Sequence, residues 1–310
     1  MSVLSTFLLK ASRSPRVRRT IVGFPVTRRV VNRFVAGESV EAAVRAVRAL
    51  RADGLTVTLD HLGEDTRDAE QAAAIRDGYI ELLTVLRRNG LADAAEVSVK
   101  LSALGQALPI EGEKLALENA RAICEAAAAA GTTVTLDMED HATADSTLRI
   151  LAELRRDFPW VGAVLQAMLL RTPEDCRDLA YPGSRVRLVK GAYAEPAEFA
   201  HTHRAEVDAA YRACAEILMN GGGYPMIASH DPRMITAAEA AARAAGRKPG
   251  EYEFQMLYGI RTDAQRALAR AGERVRVYVP FGTDWYGYFM RRLAERPANV
   301  AFFLRALIGR

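Results

Sequence analysis

The sequence predicts a protein of the α/β class: a closed (β/α)8 barrel of the TIM type, with eight parallel strands each followed by a helix, and a short N-terminal helical arm. Three observations lead there. Eight apolar, β-branched segments alternate with helical stretches, their starts roughly 23 to 41 residues apart, which is the rhythm of repeated βα units. No Gly-x-Gly-x-x-Gly or P-loop follows any of them, which argues against an open doubly wound sheet. Each segment also carries or ends in a polar residue. A chain of 310 residues with 50% hydrophobic side chains is sized for one such barrel, so residues 1–37 are read as the arm and 38–310 as the barrel.

The elements follow in order. The first strand, 55–62, closes with Asp60 and Glu64. The helix after it stops at Asn89-Gly90, and the second strand, 96–104, carries Lys100. Gly131 ends the next helix by supplying a left-handed cap, and the third strand, 133–140, holds Asp137. Gln166 lies in the fourth strand, 161–168, before a helix opened by Thr172-Pro173. The fifth, 186–193, has Lys190, the sixth, 224–231, has His230, and the seventh, 252–259, has Gln255. The eighth, 275–282, carries Tyr278, ends at Pro280 and Gly282, and feeds a helix opened by Thr283 or Asp284. A polar group inside an apolar strand is unfavourable unless paired or wet, so one per strand predicts a polar cavity at the C-terminal mouth.

The helix after the eighth strand carries two adjacent arginines, Arg291 and Arg292, with Tyr288 three residues before the first and Glu295 four after it. These positions share a face, and paired guanidiniums suit a small carboxylate. Lysine is scarce, five against thirty-seven arginines, so Lys100 and Lys190 within strands are not surface filler. Two readings stay open for them: a buried Lys–Asp pair, for instance Lys100 with Asp137, or a Schiff-base nucleophile as in barrel aldolases. Asp137 and Glu139 are expected on opposite sides of their strand, and so not as a paired acid and base. His201 and His203 lack a third ligand at metal spacing, and no metal is expected.

Composition bounds the rest. A net charge of +4 is spread as mixed charges along helices, apart from Arg13, Arg16, Arg18, Arg19, Arg28, Arg29 and Arg33, which gather in the arm without acids. With no aromatic interleaving or binding motif, nucleic acid is not the expected partner. The arm is read as a helix folded on the barrel, with contact to an anionic membrane surface as the competing reading. No apolar run is long enough to span a bilayer, and basic residues follow the first apolar run, the reverse of a secretory signal. Three dispersed cysteines without a Cys-x-x-Cys suit a reducing compartment, the cytoplasm.

The same residues carry a family resemblance. Asp60-His-Leu-Gly-Glu64, Val99-Lys100-Leu-Ser, Leu136-Asp137-Met-Glu, Arg187-Leu-Val-Lys-Gly-Ala-Tyr193, Ala228-Ser-His-Asp231, Glu253-Phe-Gln-Met-Leu257 and the run from Tyr278 to Asn299 fall in the order seen in the proline dehydrogenase family. The chain resembles its monofunctional bacterial members, relatives of the proline dehydrogenase domain of proline utilisation A. The resemblance implies an FAD enzyme that oxidises L-proline to Δ1-pyrroline-5-carboxylate and passes electrons to a membrane quinone. Quinone reduction needs membrane access, which leaves room for peripheral contact of a cytoplasmic enzyme at the inner face of the membrane. Carried over by position, Lys100, Arg291 and Arg292 hold the proline carboxylate, and Tyr278, Leu257 and Tyr288 pack on its ring. Asp137 orients Lys100 or an arginine, and Glu64 pairs with Arg291 as a gate. Gln166, Arg187, Val189, Lys190, Gly191, Ala192, Tyr193, His230, Gln255 and Glu295 match flavin-contact positions, with Arg204 as a basic contact to the flavin phosphates. Ser229-His230-Asp231 departs from the commoner Thr-His-Asn, so Asp231 is not carried over.

Overall fold

The computed structural model describes residues 31–63 and 66–295, with side chains as far as Met290. The strands are β1 (Thr56–His61), β2 (Ala95–Val99), β3 (Val134–Leu136), β4 (Gly162–Gln166), β5 (Arg185–Val189), β6 (Tyr224–Ala228), β7 (Glu253–Leu257) and β8 (Val275–Phe281). Each pairs in parallel with its neighbours, and β1 also pairs with β8, closing the barrel in chain order. The observed strands start within a residue of their expected positions. They stop earlier, because the residues expected at their C-terminal ends already belong to the following loops: Lys100, Asp137 and Lys190 each lie one residue past a strand, and His230 two past β6.

The helices are α1 (Val40–Ala52), α2 (Ala69–Arg88), α3 (Gly112–Ala130), α4 (Ala144–Arg155), α5 (Thr172–Leu179), α6 (Arg204–Asn220), α7 (Pro232–Ala244), α8 (Thr262–Arg270) and α9 (Trp285–Glu295). Their starts follow capping chemistry. The side chains of Asp68 and Asp231 accept from Gln71 N at 2.8 Å and Arg233 N at 3.1 Å, satisfying amides that would otherwise be orphaned at α2 and α7. Gly131 ends α3 at φ +77°, a conformation glycine adopts without strain. Apolar helix faces cover the sheet exterior, and Leu59, Leu82, Leu83, Leu86, Val97 and Ile123 are all solvent-free.

The lumen is charged rather than filled with branched aliphatics. Side chains at alternate strand positions face inward, and contacts between strands that are not neighbours prove it: Arg187 of β5 reaches Ser98 of β2, and Arg185 of β5 reaches Glu96. Near the N-terminal mouth, Glu96, Arg185, Glu253 and Arg276 line a cavity of about 410 Å³ and neutralise one another, with Arg185 Nη2 2.6 Å from Glu96 Oε2 and Arg276 Nε 2.7 Å from Glu253 Oε1. Burial alone would raise the Glu96 carboxyl, but Arg185, Arg276 and Arg187 around it hold it far below the usual carboxylate range.

A second apolar cluster sits by the other mouth. Val31, Phe34 and Val35 pack with Leu62, Ile260, Trp285, Tyr288 and Phe289. Ala36 N donates to Pro280 O and Gly282 N to Gly37 O, both at 2.9 Å. The described end of the arm, 31–37, is therefore bound to the barrel beside α9, while Arg13 to Arg29 lie outside the described residues. Among the described residues, no helix is long and apolar enough to cross a membrane.

Candidate active site

The C-terminal mouth brings together residues from all eight strands or the loops just past them. Lys100 Nζ donates to both oxygens of Asp60 at 2.8 Å, and stands 3.4 Å from the Tyr278 hydroxyl and 3.7 Å from Asp137 Oδ2. Asp137 has closer partners. It accepts from Arg187 Nη1 at 2.7 Å, the Ser98 hydroxyl at 2.8 Å and the Tyr278 hydroxyl at 2.7 Å. The lysine of the expected buried pair is thus held by Asp60 on one neighbouring strand, while Asp137 orients an arginine. Burial, and after it the charges of Asp137 and Asp60, raise the Tyr278 phenol well above its ordinary value, so it stays a proton donor.

Arg187 is the hub. Its guanidinium fork spans Gln255 (Nε to Oε1, 2.6 Å), Asp137 and Ser98, and it lies over the Tyr278 ring at 5.3 Å. Its Nη2 has no hydrogen-bond partner among the described residues and sits 3.8 Å from Glu96 Oε1, which links the mouth to the charged layer beneath. Tyr79 supports the same corner from outside the sheet, donating to Ser98 O at 2.8 Å.

Asp137 and Glu139 are separated for a reason other than strand alternation. Residues two apart on a strand share a face, but β3 ends at Leu136. The chain then turns, so Asp137 faces Arg187 while Glu139 accepts from Ser102 N at 3.1 Å and its hydroxyl at 2.7 Å.

The expected flavin positions form an arc across β4 to β7. Gln166 donates to Met138 O at 3.0 Å and Glu139 O at 2.5 Å, while its buried Oε1 has no partner among the described residues. A buried acceptor left open suits a ligand donor. Gly191, at φ +107°, presses on Met168 so closely that a Cβ would fall 2.1 Å from Sδ, and it follows Val189 and Lys190 into the loop with Ala192 and Tyr193. Lys190 is held by Asp208 and, at 3.0 Å, by Asp231. His230 Nε2 accepts from Leu257 N at 2.9 Å, so its neutral ring carries the proton on Nδ1. Arg204 opens α6 with its side chain 80% exposed, 3.8 Å from Asp231. An unfilled acceptor, a basic cluster and glycine-permitted close approach fit a flavin with its phosphates. Both lysines are ion-paired, Lys100 with Asp60 and Lys190 with Asp208 and Asp231, whereas a Schiff-base nucleophile needs a free amine, so the pairing disfavours that reading.

Leu257 ends β7 and packs on the second apolar cluster, in which Tyr288 of α9 is buried. Arg291, Arg292 and Glu295 belong to α9 by their backbone, close behind β8; their side chains, all of Glu64 and the proposed Glu64–Arg291 gate lie outside the described residues. Asp60, Ser98 and Glu96 are the site partners to which sequence reasoning gave no role. Asp60 was visible as the polar end of a strand, whereas Ser98 and Glu96 occupy inward positions of β2 beneath Lys100, at spacing two.

A family model described as "Proline dehydrogenase" matches residues 43–305. The chain belongs to the proline dehydrogenase family. Its relatives include the Deinococcus radiodurans proline dehydrogenase, 42% identical over 90% of each chain, and Bacillus subtilis proline dehydrogenase 1, 38% identical over 91% of this chain and 92% of that one. The bifunctional protein PutA of Escherichia coli is 27% identical over 88% of this chain but only 24% of its own length. Among solved structures, proline utilization A from Bdellovibrio bacteriovorus, inactivated by N-propargylglycine, superposes with a TM-score of 0.79 at 29% identity over 86% of this chain and 32% of that one. The match thus covers about a quarter to a third of those larger chains. The enzyme is a proline dehydrogenase, an oxidoreductase of proline catabolism.

Proposed function

We propose that this enzyme carries out the FAD-dependent oxidation of L-proline to Δ1-pyrroline-5-carboxylate, the first step of proline catabolism. The arm, 1–37, and the catalytic barrel, 38–310, are the organisation we assign. The observation that carries the reading is the convergence of Lys100, Tyr278 and the Asp137–Arg187 pair at the C-terminal mouth of a barrel from this family. Proline offers a carboxylate to anchor, a small apolar ring to shape and a secondary amine that must lose a proton. In this reading Lys100, Arg291 and Arg292 bind the carboxylate. Tyr278, Leu257 and Tyr288 enclose the ring, and Glu64 closes over it by pairing with Arg291. Cations grouped on one side favour the neutral amine by like-charge repulsion, so no dedicated strong base is required.

FAD is assigned to Gln166, Arg187, Val189, Lys190, Gly191, Ala192, Tyr193, Arg204, His230, Gln255 and Glu295. When bound it supplies a two-electron acceptor for the hydride leaving the ring carbon beside nitrogen. Arg187, with its charge fixed by Asp137, is placed in this reading to favour negative charge on the reduced cofactor. A membrane quinone is assigned as the final acceptor, reached from the cytoplasm by peripheral contact at the inner face of the membrane. Three dispersed cysteines, all free and buried, are consistent with that compartment.

The visible absorption spectrum tests the reading. The purified protein should be yellow and should bleach on anaerobic addition of L-proline. R291M and R292M should each raise the proline KM about 10- to 100-fold, the loss of a charged hydrogen bond, and leave the yellow colour in place. Loss of flavin in these variants would assign the arginines to the cofactor instead. A colourless protein trapped by borohydride at Lys100 or Lys190 would establish the aldolase reading.

A further inference from the structure

We propose that Asp60 is a positioning residue of the proline site, holding Lys100 in place and in its charged form so that an ammonium remains available to the substrate carboxylate. The inference rests on the carboxylate-binding role proposed for Lys100. Its basis is the division of labour between two aspartates, Asp60 buried and Asp137 half-buried. Both oxygens of Asp137 are engaged, Oδ1 by Arg187 and Ser98 and Oδ2 by Tyr278, at 2.7 to 2.8 Å, and Lys100 is left 3.7 Å away. Asp60, with a side chain 1% exposed, instead gives both of its oxygens to Lys100 at 2.8 Å.

The surroundings explain why the carboxylate is needed. Asp60 of β1, Asp137 after β3, Arg187 of β5 and Tyr278 of β8 are the charged and titratable groups facing Lys100 from the described elements, with Tyr79 of α2 behind β1 and β2. His61, the neighbour of Asp60 in sequence, turns away to stack on Phe281. Among the described residues, Asp137 is already shared with Arg187, so loss of Asp60 would leave two buried cations facing one carboxylate. Burial and like-charge repulsion both favour the neutral amine. Burial pushes the Asp60 carboxyl up and Lys100 pulls it back, as expected of a pair whose charges depend on each other.

The consequence is a pH dependence added to that of the unaltered enzyme. In D60N the lysine keeps its proton at low pH and loses it as pH rises through a lowered value, so proline binding should weaken as the solution becomes more basic. The experiment measures kcat and KM for L-proline from pH 6 to 9 in the flavin-loaded enzyme and in D60N, D60E, K100A and D60N/K100A, with flavin absorbance and far-UV circular dichroism as controls. We expect D60N to raise KM at least about tenfold at pH 8, the loss of one partner of a buried charge pair, and less at pH 6. D60E should restore part of the loss, and D60N should add nothing once Lys100 is gone. A D60N KM within twofold of the unaltered enzyme at every pH, or full additivity in the double variant, overturns the inference. Should D60N fail to fold, D60S in both lysine backgrounds removes the same carboxylate and carries the same test. If K100A itself leaves KM unchanged, the proposed substrate site fails and this inference with it, whereas a large K100A effect with a silent D60N removes Asp60 alone.

Discussion

Arg187 shows how one side chain can organise a site. A planar fork with five donors on separated nitrogens can address Gln255 through Nε and Asp137 and Ser98 through Nη1, a reach that a compact ammonium lacks. R187K keeps the charge and loses the fork. Removing one charged hydrogen bond, about 1.5–3 kcal/mol, should lower kcat/KM roughly 10- to 100-fold, read by steady-state kinetics on flavin-loaded protein. An R187K enzyme of full activity would exclude the guanidinium from the reaction. Tyr278 is bound to the same logic: its hydroxyl donates to Asp137 at 2.7 Å, and burial keeps it protonated.

At the scale of elements, the loops after the strands matter more than the strands. The turn after β5 is sharp because Gly191 adopts φ +107° against Met168, a conformation that strains any other residue. G191A should destabilise the protein by about 1–3 kcal/mol, seen as a lower urea midpoint at unchanged slope. The same variant should lose flavin absorbance, since Gly191 lies within the assigned cofactor arc, while far-UV circular dichroism keeps the barrel signature. Helix α7 is tied into this region, because Asp231 both caps it and binds Lys190 at 3.0 Å. A substitution at Asp231 would act on a helix end and on the cofactor arc together, and the departure from asparagine at this position is explained by its pairing with Lys190 and Arg233.

Across the whole molecule, a column of paired charges runs through the lumen from Glu253 and Arg276, by Glu96 and Arg185, to Arg187, Asp137, Lys100 and Asp60. Breaking it at its centre leaves guanidiniums buried without their anion, so E96Q should cost about 3–5 kcal/mol in urea unfolding at neutral pH. The sign with pH follows from the depressed carboxyl: a group that binds its proton less readily when folded stabilises the protein above its unfolded value of about 4.3 and ceases to do so as pH falls toward its folded value. The stability gap between the enzyme and E96Q should therefore stay constant from about pH 5 to 8 and shrink only below about pH 4; a gap that closes near neutrality would contradict the ion network.

The sequence alone determined the order and number of the βα units, because strand and helix periodicities are local properties, and it determined which polar residues reach the mouth, because a barrel exposes the ends of its strands. Lys100, Asp137 and Tyr278 were legible on that ground, and Arg187 only through the family resemblance. Only the tertiary structure decided who pairs with whom. Lys100 sits between two aspartates on adjacent strands, and spacing along the chain cannot say which one it takes; closure of β1 onto β8 and the prior claims of Arg187, Ser98 and Tyr278 on Asp137 leave it to Asp60. Glu96 was hidden for the same reason, since a charge facing the lumen looks, in one dimension, like a charge facing water.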